Sequence, residues 1–322
     1  MKILVTGAAG FLGGRLVRAL LSQPSGFPAV SHIIAADATP ADIGDPRVTT
    51  RAGSIADPAF VRAIVEPGID LVYHLAAVLS GQSEAEFDTA LHVNMDGTRL
   101  LLEACRGLGS RPRLVFSSTV AVFGGVLPAL VPESQVLQPQ TTYGVTKAIA
   151  EMLVSEYSRR GFVDGMSCRL ATITVRPGQA NSALSSFVSG IIREPLGGID
   201  TVCPVPLETP IWISSPAAVI RNLVHAGRIA TAALGSERAL NLPGLSVTAG
   251  EMLASLERIG GRAARGRVRV EREERVARAM CGWPAALDAT RALALGFTAD
   301  TDVDAVVRQY VDDMGLRQQL QP

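Results

Sequence analysis

The chain has 322 residues, of which 48% are hydrophobic, and its 30 basic residues balance its 30 acidic residues. This composition excludes a disordered chain and suits one large domain or two unequal ones. Zero net charge provides no global field to attract nucleic acid or an anionic membrane, so neither is expected as a partner. The basic residues comprise 28 Arg and only two Lys, Lys2 and Lys147. A role that requires lysine is therefore worth examining at both positions.

Four cysteines lie far apart, at positions 105, 168, 203 and 281, with no CxxC pair and no His/Cys cluster. We therefore expect free thiols in a reducing compartment and no metal site. The N-terminus runs directly into a glycine turn, without the features of a signal peptide. No apolar run approaches the ~20 residues of a membrane helix. A cytoplasmic protein is expected.

Short apolar runs alternate with helical patterns through the first half of the chain. Strands are expected at 2–6, 32–36, 47–52, 70–75, 113–117 and 166–174, and helices at 11–22, 58–66, 84–107 and 142–160. This βαβα order predicts an α/β fold, with a doubly wound parallel sheet and helices on both of its faces.

The pattern changes after Arg176, because residues 177–210 contain five prolines. Helices are expected near 184–193 and at 216–232, 249–259 and 300–317, the third opened by the capping-box pair Thr248 and Glu251. We expect these segments to form a smaller cap. The predicted division assigns residues 1–175 with about 211–234 to the first domain, and 176–210 with 235–322 to the cap.

A glycine-rich turn joins the first strand to the first helix. Gly7, Gly10 and Gly13 allow a tight turn, close approach of backbone N–H groups to a pyrophosphate, and packing of the helix on the strand. The helix N-terminus adds a partial positive charge. Asp37, at the end of the second strand, can accept from both hydroxyls of an adenosine ribose and repels a 2′-phosphate. The pattern predicts a dinucleotide site for NAD rather than NADP.

Tyr143 and Lys147 lie four residues apart and share one face of a predicted helix. A phenol is a poor base at neutral pH, but a nearby ammonium group favours the phenolate. Tyr143 could then take a hydroxyl proton while hydride leaves the carbon, and Lys147 could donate to the nicotinamide ribose. Ser117, Ser118 and Thr119 end the fifth strand, where a hydroxyl could donate to the reacting oxygen.

With these residues in place, the sequence resembles the extended short-chain dehydrogenase/reductase family, also described as NAD-dependent epimerase/dehydratases, over nearly its whole length. Besides Asp37, the matching segments are TGAAGFLG (6–13), HLAA (74–77), NMDGT (94–98), FSSTVAVFG (116–124), YGVTK (143–147), RLATITVRPG (169–178) and LALGF (293–297). The resemblance implies a Rossmann-type sheet with a smaller α/β substrate-binding cap, NAD as cofactor, and a homodimer.

The resemblance also implies further site residues. It places Thr119 at the family's catalytic Ser/Thr position, with Ser118 beside it, and Asn94 as a buried residue behind the site. Other positions along the dinucleotide are Phe11, Leu12, Leu75, Ala76, Ala77, Ser117, Thr172 and Ile173. Ser54 and Ile55 stand where the family usually has Asp-Ile near the adenine, so this contact departs from the pattern.

Within the family, SSFVSGIIREP (185–195) and TVCPVP (201–206) are similar to dehydrogenases that use NAD to oxidise the C2 hydroxyl of a four-carbon sugar acid. The carboxylate of such a substrate needs a cation, and Arg176 and Arg193 are the candidates. Further candidates for contacts with the substrate are Ser80, Asn181 and Ser186, whereas Trp212 could either wall the pocket or pack in the core.

Other functions remain open. A nucleotide-sugar 4-epimerase retains its NAD and needs cations for a diphosphate, which eight arginines from Arg258 to Arg278 could supply. Their interleaving with glutamates favours a solvated, ion-paired surface instead. A 4,6-dehydratase is disfavoured, because Val120-Ala121 stand where that chemistry uses Asp-Glu. A non-catalytic NAD-sensing protein could lose the Tyr143/Lys147 pair, which this chain keeps.

Overall fold

The structure, a computed structural model, describes residues 1–178 and 185–316. The strands are β1 (Lys2–Thr6), β2 (His32–Asp37), β3 (Val48–Ala52), β4 (Leu71–His74), β5 (Arg113–Thr119), β6 (Asp164–Leu170), β7 (Thr172–Ile173), β8 (Thr201–Cys203), β9 (Pro210–Ser214), β10 (Ala239–Asn241), β11 (Leu245–Thr248) and β12 (Val268–Val270).

The α-helices are α1 (Phe11–Leu21), α2 (Pro58–Ile64), α3 (Ser80–Ala85), α4 (Phe87–Ala90), α5 (Gly97–Leu108), α6 (Thr142–Arg159), α7 (Ser186–Leu196), α8 (Pro216–Ala226), α9 (Ala249–Gly266), α10 (Glu274–Cys281), α11 (Thr290–Ala294) and α12 (Val303–Asp313). A π-helical turn spans Leu91–Asp96, and 3₁₀ turns span Val120–Val122 and Thr231–Leu234.

A parallel sheet forms the centre of the fold, and among the described residues it has seven strands in the order β10-β6-β5-β4-β1-β2-β3. Ile3, Leu4 and Val5 of β1 are fully buried, as expected for a strand covered on both faces. Helices α1 and α8 pack on one face, and α2, α5 and α6 pack on the other. The predicted α/β fold with a doubly wound sheet is confirmed.

The strand order reverses at β1, which pairs with β2 on one side and with β4 on the other. At such a reversal the chain leaves neighbouring strands toward opposite faces, so a crevice opens beyond their carboxyl ends. The glycine turn follows β1, Asp37 ends β2, and Thr119 ends β5. The topology therefore brings these sequence-distant residues to one edge of the sheet.

A smaller unit follows β6. Its strands β7, β9 and β11 form one sheet and β8 pairs with β12. Helices α7, α9 and α12 pack around them through Val188, Ile192, Leu256 and Val307. Strand β10, in the predicted cap, instead extends the central sheet beside β6. Conversely, β7 and β9 pair outside the central sheet, although both overlap the predicted first domain. The domain division itself stays a prediction.

Two predicted elements are interrupted in the structure. The helix expected at 84–107 is a succession of α3, α4, the π-helical turn and α5, because Glu86 has non-helical backbone angles (φ −128°, ψ 71°). The strand expected at 166–174 ends at Leu170, and the chain enters the smaller sheet at Thr172. The apolar pattern continues across an interruption of one residue. The pattern alone therefore does not show where the helix or the strand is interrupted.

Cys105, Cys168 and Cys203 are buried free thiols, and burial raises the pKa of Cys105 and of Cys168 to about 12. Thiols of this kind act as small apolar packing groups. No helix in the described part of the chain is long and apolar enough to cross a membrane.

A buried histidine joins the first and fourth strands to helix α5. The ring of His74 is 1% exposed, with Nδ1 2.7 Å from Thr6 Oγ1 and Nε2 2.9 Å from Thr98 Oγ1. The Thr98 hydroxyl donates to the Asn94 carbonyl at 2.6 Å. It therefore accepts from Nε2–H, and Nδ1 accepts from the Thr6 hydroxyl. Burial, together with the charge of Lys147, lowers the pKa of His74 to about 3, so the ring stays neutral.

We predict that His74 makes the protein sensitive to acid. Its pKa is about 3 in the folded chain and about 6.5 in the unfolded chain. The unfolded state therefore binds an extra proton between these values, and stability is lost as pH falls below about 6.5. The loss approaches about 1.4 kcal/mol per pH unit well below pH 6.5 and amounts to about 2.3 kcal/mol between pH 6.5 and 4.5. Urea unfolding at the two pH values measures it.

The variant His74→Asn should be less stable at pH 6.5 but should lose less stability on acidification. His92→Asn is the matched control, because its side chain is 64% exposed, and it should keep the wild-type pH dependence. An unchanged pH dependence in His74→Asn would contradict the prediction.

Candidate active site

A cleft of about 760 Å³ lies beyond the carboxyl ends of the central strands. It extends from the glycine turn and the end of β2, past β4 and β5, to the first turns of α6 and the start of the cap. Most of the predicted site residues line it: Gly7, Gly10, Phe11, Leu12, Gly13, Asp37, Ser54, Ile55, Leu75, Ala76, Ala77, Ser80, Ser117, Ser118, Thr119, Tyr143, Lys147, Thr172, Ile173 and Arg176.

Backbone contact determines the shape of the glycine turn. Gly7 has φ +76°, and a Cβ there would lie 2.7 Å from the backbone nitrogen of Ala76. A Cβ at Gly13 would lie 2.0 Å from the Gly7 carbonyl oxygen. No side chain caps the N-terminus of α1, so its first N–H groups are available at the cleft, where Phe11 and Leu12 lie. These donors fit a pyrophosphate.

Asp37 is held at the rim of the cleft by backbone donors. Its Oδ2 accepts from the N–H of Ala9 at 3.0 Å, and its Oδ1 accepts from the N–H of Thr39 at 3.4 Å. An ionised carboxylate has about four acceptor positions, so capacity remains for two ribose hydroxyls. Together with the glycine turn, this donor and acceptor set fits an adenine dinucleotide.

Asn94 lies behind the wall of the cleft rather than on it, and it is 3% exposed. Its Oδ1 accepts from the N–H of Val78 at 2.8 Å, and its Nδ2 donates to the Val78 carbonyl and to Thr146 Oγ1, both at 3.2 Å. The Thr146 hydroxyl donates to the Tyr143 carbonyl at 2.9 Å. Asn94 therefore connects the chain after β4 to the first turn of α6.

Helix α6 presents Tyr143 and Lys147 to the cleft. Thr141 caps the helix by accepting from the N–H of Gly144 at 3.1 Å. Lys147 is 2% exposed, and its Nζ donates to the Ser117 carbonyl at 2.8 Å. The same Nζ lies 4.6 Å from the centre of the Phe116 ring and 5.7 Å from the centre of the Tyr143 ring.

Burial controls the protonation of both groups. It lowers the pKa of Lys147 to about 7, opposed by the charge of Glu151. It raises the pKa of Tyr143 to about 12, opposed by the charge of Arg176. The charge of Arg176 favours the Tyr143 phenolate, and a contribution of Lys147 to the phenolate stays a prediction.

The three hydroxyl side chains at the end of β5 have different partners. Ser117 Oγ donates to the His74 carbonyl at 3.2 Å, and Ser118 Oγ donates to the Glu151 carboxylate. Thr119 Oγ1 accepts a backbone N–H bond from two residues further on, at 3.2 Å. No described residue accepts the Thr119 proton. The geometry thus favours Thr119 over Ser118 as a donor to a substrate oxygen.

The two arginine candidates also differ in whether another residue already binds the side chain. Arg193 is 8% exposed, donates to the Arg176 carbonyl at 2.9 Å, pairs with Glu194 at 2.6 Å, and is not among the residues that line the cleft. Arg176 lines the cleft, and no described residue pairs with its guanidinium. Burial lowers the pKa of Arg176, and the charge of Arg193 adds to this shift. Arg176 is therefore the cation available to a ligand.

The remaining predicted contacts are distributed as follows. Asn181 lies outside the described residues. Ser186 begins α7 and does not line the cleft, and Trp212 packs in an apolar cluster with Val120 and Phe123. Sequence reasoning missed Trp283, which does line the cleft. No motif surrounds it, and its only signal was that tryptophan occurs twice in the chain.

Comparisons with known proteins agree with this geometry. A family model described as "NAD dependent epimerase/dehydratase family" matches residues 3–234. D-erythronate dehydrogenase from Cupriavidus necator is 50% identical over 322 residues, which cover 98% of this chain and 99% of that protein. D-erythronate dehydrogenase from Haemophilus influenzae is 40% identical over 314 residues, or 97% and 99% of the two chains.

A solved structure is similar over a comparable length. The crystal structure of the nucleoside-diphosphate-sugar epimerase from Agrobacterium tumefaciens superposes with a TM-score of 0.93 and 38% identity. The superposition covers 98% of this chain and 95% of that one.

We predict that Asp37→Ala weakens NAD binding about tenfold, because hydrogen bonds to a carboxylate contribute about 1.5 kcal/mol or more. NADP, no longer repelled, should bind closer to NAD in affinity. Dissociation constants from fluorescence titration test both effects. Asp42→Ala is the matched control, because this exposed acid interacts with Arg18 through its backbone carbonyl. An unchanged NAD/NADP ratio in Asp37→Ala would refute the assignment.

Proposed function

Because the chain belongs to the NAD-dependent epimerase/dehydratase family, we propose that it oxidises the C2 hydroxyl of a small sugar acid, D-erythronate, to 2-oxo-erythronate. The family and the NAD cofactor predicted from the sequence are confirmed, and the chain is an NAD-dependent oxidoreductase acting on CH–OH groups. The substrate is the proposed part. The names of two relatives that match along almost their full length support it.

One observation carries the proposal: a cleft-lining guanidinium, that of Arg176, has no partner among the described residues and lies close enough to Tyr143 to influence its pKa. A guanidinium binds a carboxylate through two parallel hydrogen bonds. A 2-hydroxy acid held in this way has its reacting carbon directly beside the carboxylate. Arg176 and Tyr143 line the same cleft, which supports a substrate that carries its carboxylate and its reacting hydroxyl on adjacent carbons.

A second candidate function is nucleotide-sugar epimerisation, favoured by the likeness to the Agrobacterium protein described as an epimerase. Its substrate carries a diphosphate, which needs several cations. The arginine side chains described between 258 and 272 do not line the cleft. Three of them pair with carboxylates: Arg258 with Asp304, Arg267 with Asp200 and Arg272 with Glu274. The basic side chains of the cleft favour one carboxylate over a diphosphate.

The proposed catalytic and binding roles follow from the positions of the side chains. Tyr143 accepts the proton of the C2 hydroxyl, and Thr119 donates a hydrogen bond to the same oxygen as it becomes a carbonyl. Lys147 holds the nicotinamide ribose, and Arg176 holds the carboxylate. When bound, NAD supplies the acceptor for the hydride. The homodimer and the cytoplasmic location implied by the sequence stay predictions.

The first test follows NADH absorbance with D-erythronate, D-threonate, L-threonate and a UDP-sugar. We expect net NADH formation with D-erythronate and none with the UDP-sugar. Interconversion of UDP-sugars without net NADH formation would favour the epimerase and contradict the proposal.

The control for this assay is Tyr143→Phe, which removes the phenol oxygen and keeps the ring. Its kcat should fall by at least about 100-fold, as expected for loss of a general base. Its NAD affinity should stay near the wild-type value, because the glycine turn and Asp37 are untouched. Full activity in this variant would show that another group takes the proton.

We further predict that Arg176→Gln raises the KM for D-erythronate about 10- to 100-fold, because it removes charge-assisted hydrogen bonds to the carboxylate. The KM for NAD should change little. Arg262→Gln is the matched control, because that side chain is 96% exposed, and both constants should match the wild type. An unchanged KM for D-erythronate in Arg176→Gln would exclude this arginine as the carboxylate ligand.

A further inference from the structure

A buried ion pair lies behind the cleft, between helix α6 and strand β6. The side chains of Glu151 and Arg169 are 4% and 6% exposed, and their closest N···O distance is 2.8 Å. Arg169 donates through Nε and Nη2 to both oxygens of the carboxylate, at 2.8–3.2 Å. The Ser118 hydroxyl adds another bond to Oε1. Two charges are stable at this depth because each is paired and hydrogen-bonded.

The ion pair is anchored on its far side, which limits movement of the carboxylate. Arg169 Nη1 lies 3.3 Å from the Glu133 carbonyl and 3.4 Å from Asn241 Oδ1. The guanidinium also lies 4.8 Å from the centre of the Phe123 ring. The Glu151 carboxylate is therefore held from strands β5 and β6 at once, since Ser118 and Arg169 are paired in the sheet.

The buried ion pair is connected through the chain to the residues that face the cleft. Ser118 directly precedes Thr119, and Glu151 lies one helical turn after Lys147 and two turns after Tyr143. Lys147 makes a second bond from the same helix to the same strand, at the Ser117 carbonyl. Two neighbouring bonds between α6 and the end of β5 thus set the separation of Tyr143 from Thr119.

Charge provides a second link between Glu151 and the site. The titratable and charged side chains around Lys147 are Tyr143 and Glu151 on its own helix, His74 on β4, Arg169 beyond Glu151 and Arg176 beyond Tyr143. His74 is neutral above about pH 3. Among the described residues, Glu151 is the carboxylate whose charge opposes the effect of burial on Lys147.

We propose that Glu151 is a positioning residue of the active site: its carboxylate holds the end of β5 against α6, and its negative charge favours the ammonium form of Lys147. The inference rests on the proposed function in assigning catalytic roles to Lys147, Tyr143 and Thr119. Loss of the carboxylate would therefore change the protonation of Lys147 as well as the packing behind it.

The composition of the chain makes a direct test possible, because Lys2 and Lys147 are its only lysines. Protein labelled with ¹³C-lysine should give two side-chain NMR signals, which Lys2→Arg assigns. Lys2 pairs with Glu66 at 2.6 Å near the surface and serves as an internal reference. In the wild type, Lys147 should titrate near pH 7. In Glu151→Gln its midpoint should move to lower pH by about one unit, the usual effect of losing a neighbouring opposite charge.

Two further variants separate this effect from structural damage. Glu156→Gln removes a carboxylate from the same helix, where Glu156 pairs with Arg159 near the surface, and it should leave both lysine midpoints unchanged. Glu151→Gln/Arg169→Met removes both buried charges, so it provides a folded protein if unpaired Arg169 unfolds the single variant. It should still lower the Lys147 midpoint. A wild-type midpoint in every folded Glu151 variant overturns the proposal.

The NMR titration uses neither NAD nor substrate, so its result is independent of the proposed function. A wild-type protein that does not oxidise D-erythronate would refute the function and leave the Glu151 result standing. Where D-erythronate is oxidised, the alkaline limb of kcat/KM in Glu151→Gln should move to lower pH together with the NMR midpoint. A reduced kcat with an unmoved limb and an unmoved NMR midpoint would indicate packing damage alone.

Discussion

The site depends on the close contact between backbone segments at the glycine turn. A side chain at Gly13 would overlap the Gly7 carbonyl, and a side chain at Gly7 would overlap the backbone before Ala77. The absence of both side chains lets α1 begin directly above the end of β1 and against the chain that leaves β4. Every other part of the cleft is built outward from this point, since β4 then determines the position of β5, and β5 that of α6.

Inside the apolar core, buried polar side chains connect the strands and helices that form the cleft through hydrogen bonds. Thr6, His74, Thr98 and Asn94 are linked by hydrogen bonds that run from β1 to the turn before α5, and Asn94 continues the linkage to α6. Each group is buried and satisfied, so a displaced member would leave a neighbour without a partner. The reacting groups consequently sit on a framework whose geometry is specified by directional bonds as well as by packing.

The sequence predicts the framework better than the details of the site. β1, α1 and α6 are found where expected, because an apolar pattern and a neighbouring motif agree there. β8 and β12 escape prediction because three residues are too few to show a period. The choice of Thr119 over Ser118 depends on Glu151, and the choice of Arg176 over Arg193 depends on the ion pair between Arg193 and Glu194. Such long-range or competing partners are visible only once the chain is folded.

The short connections between the two sheets limit how the enzyme can move. One residue separates β6 from β7, β9 leads through Ser215 into α8, and three residues separate β10 from β11. Ser215 is further fixed by hydrogen bonds of 2.6 and 2.7 Å to Asp300. Connections this short act as rigid links, because a large rotation of the smaller sheet would break the β-sheet hydrogen bonds on both sides of each connection. The cleft residues that come from the central sheet and those that come from the smaller sheet therefore keep a fixed spacing.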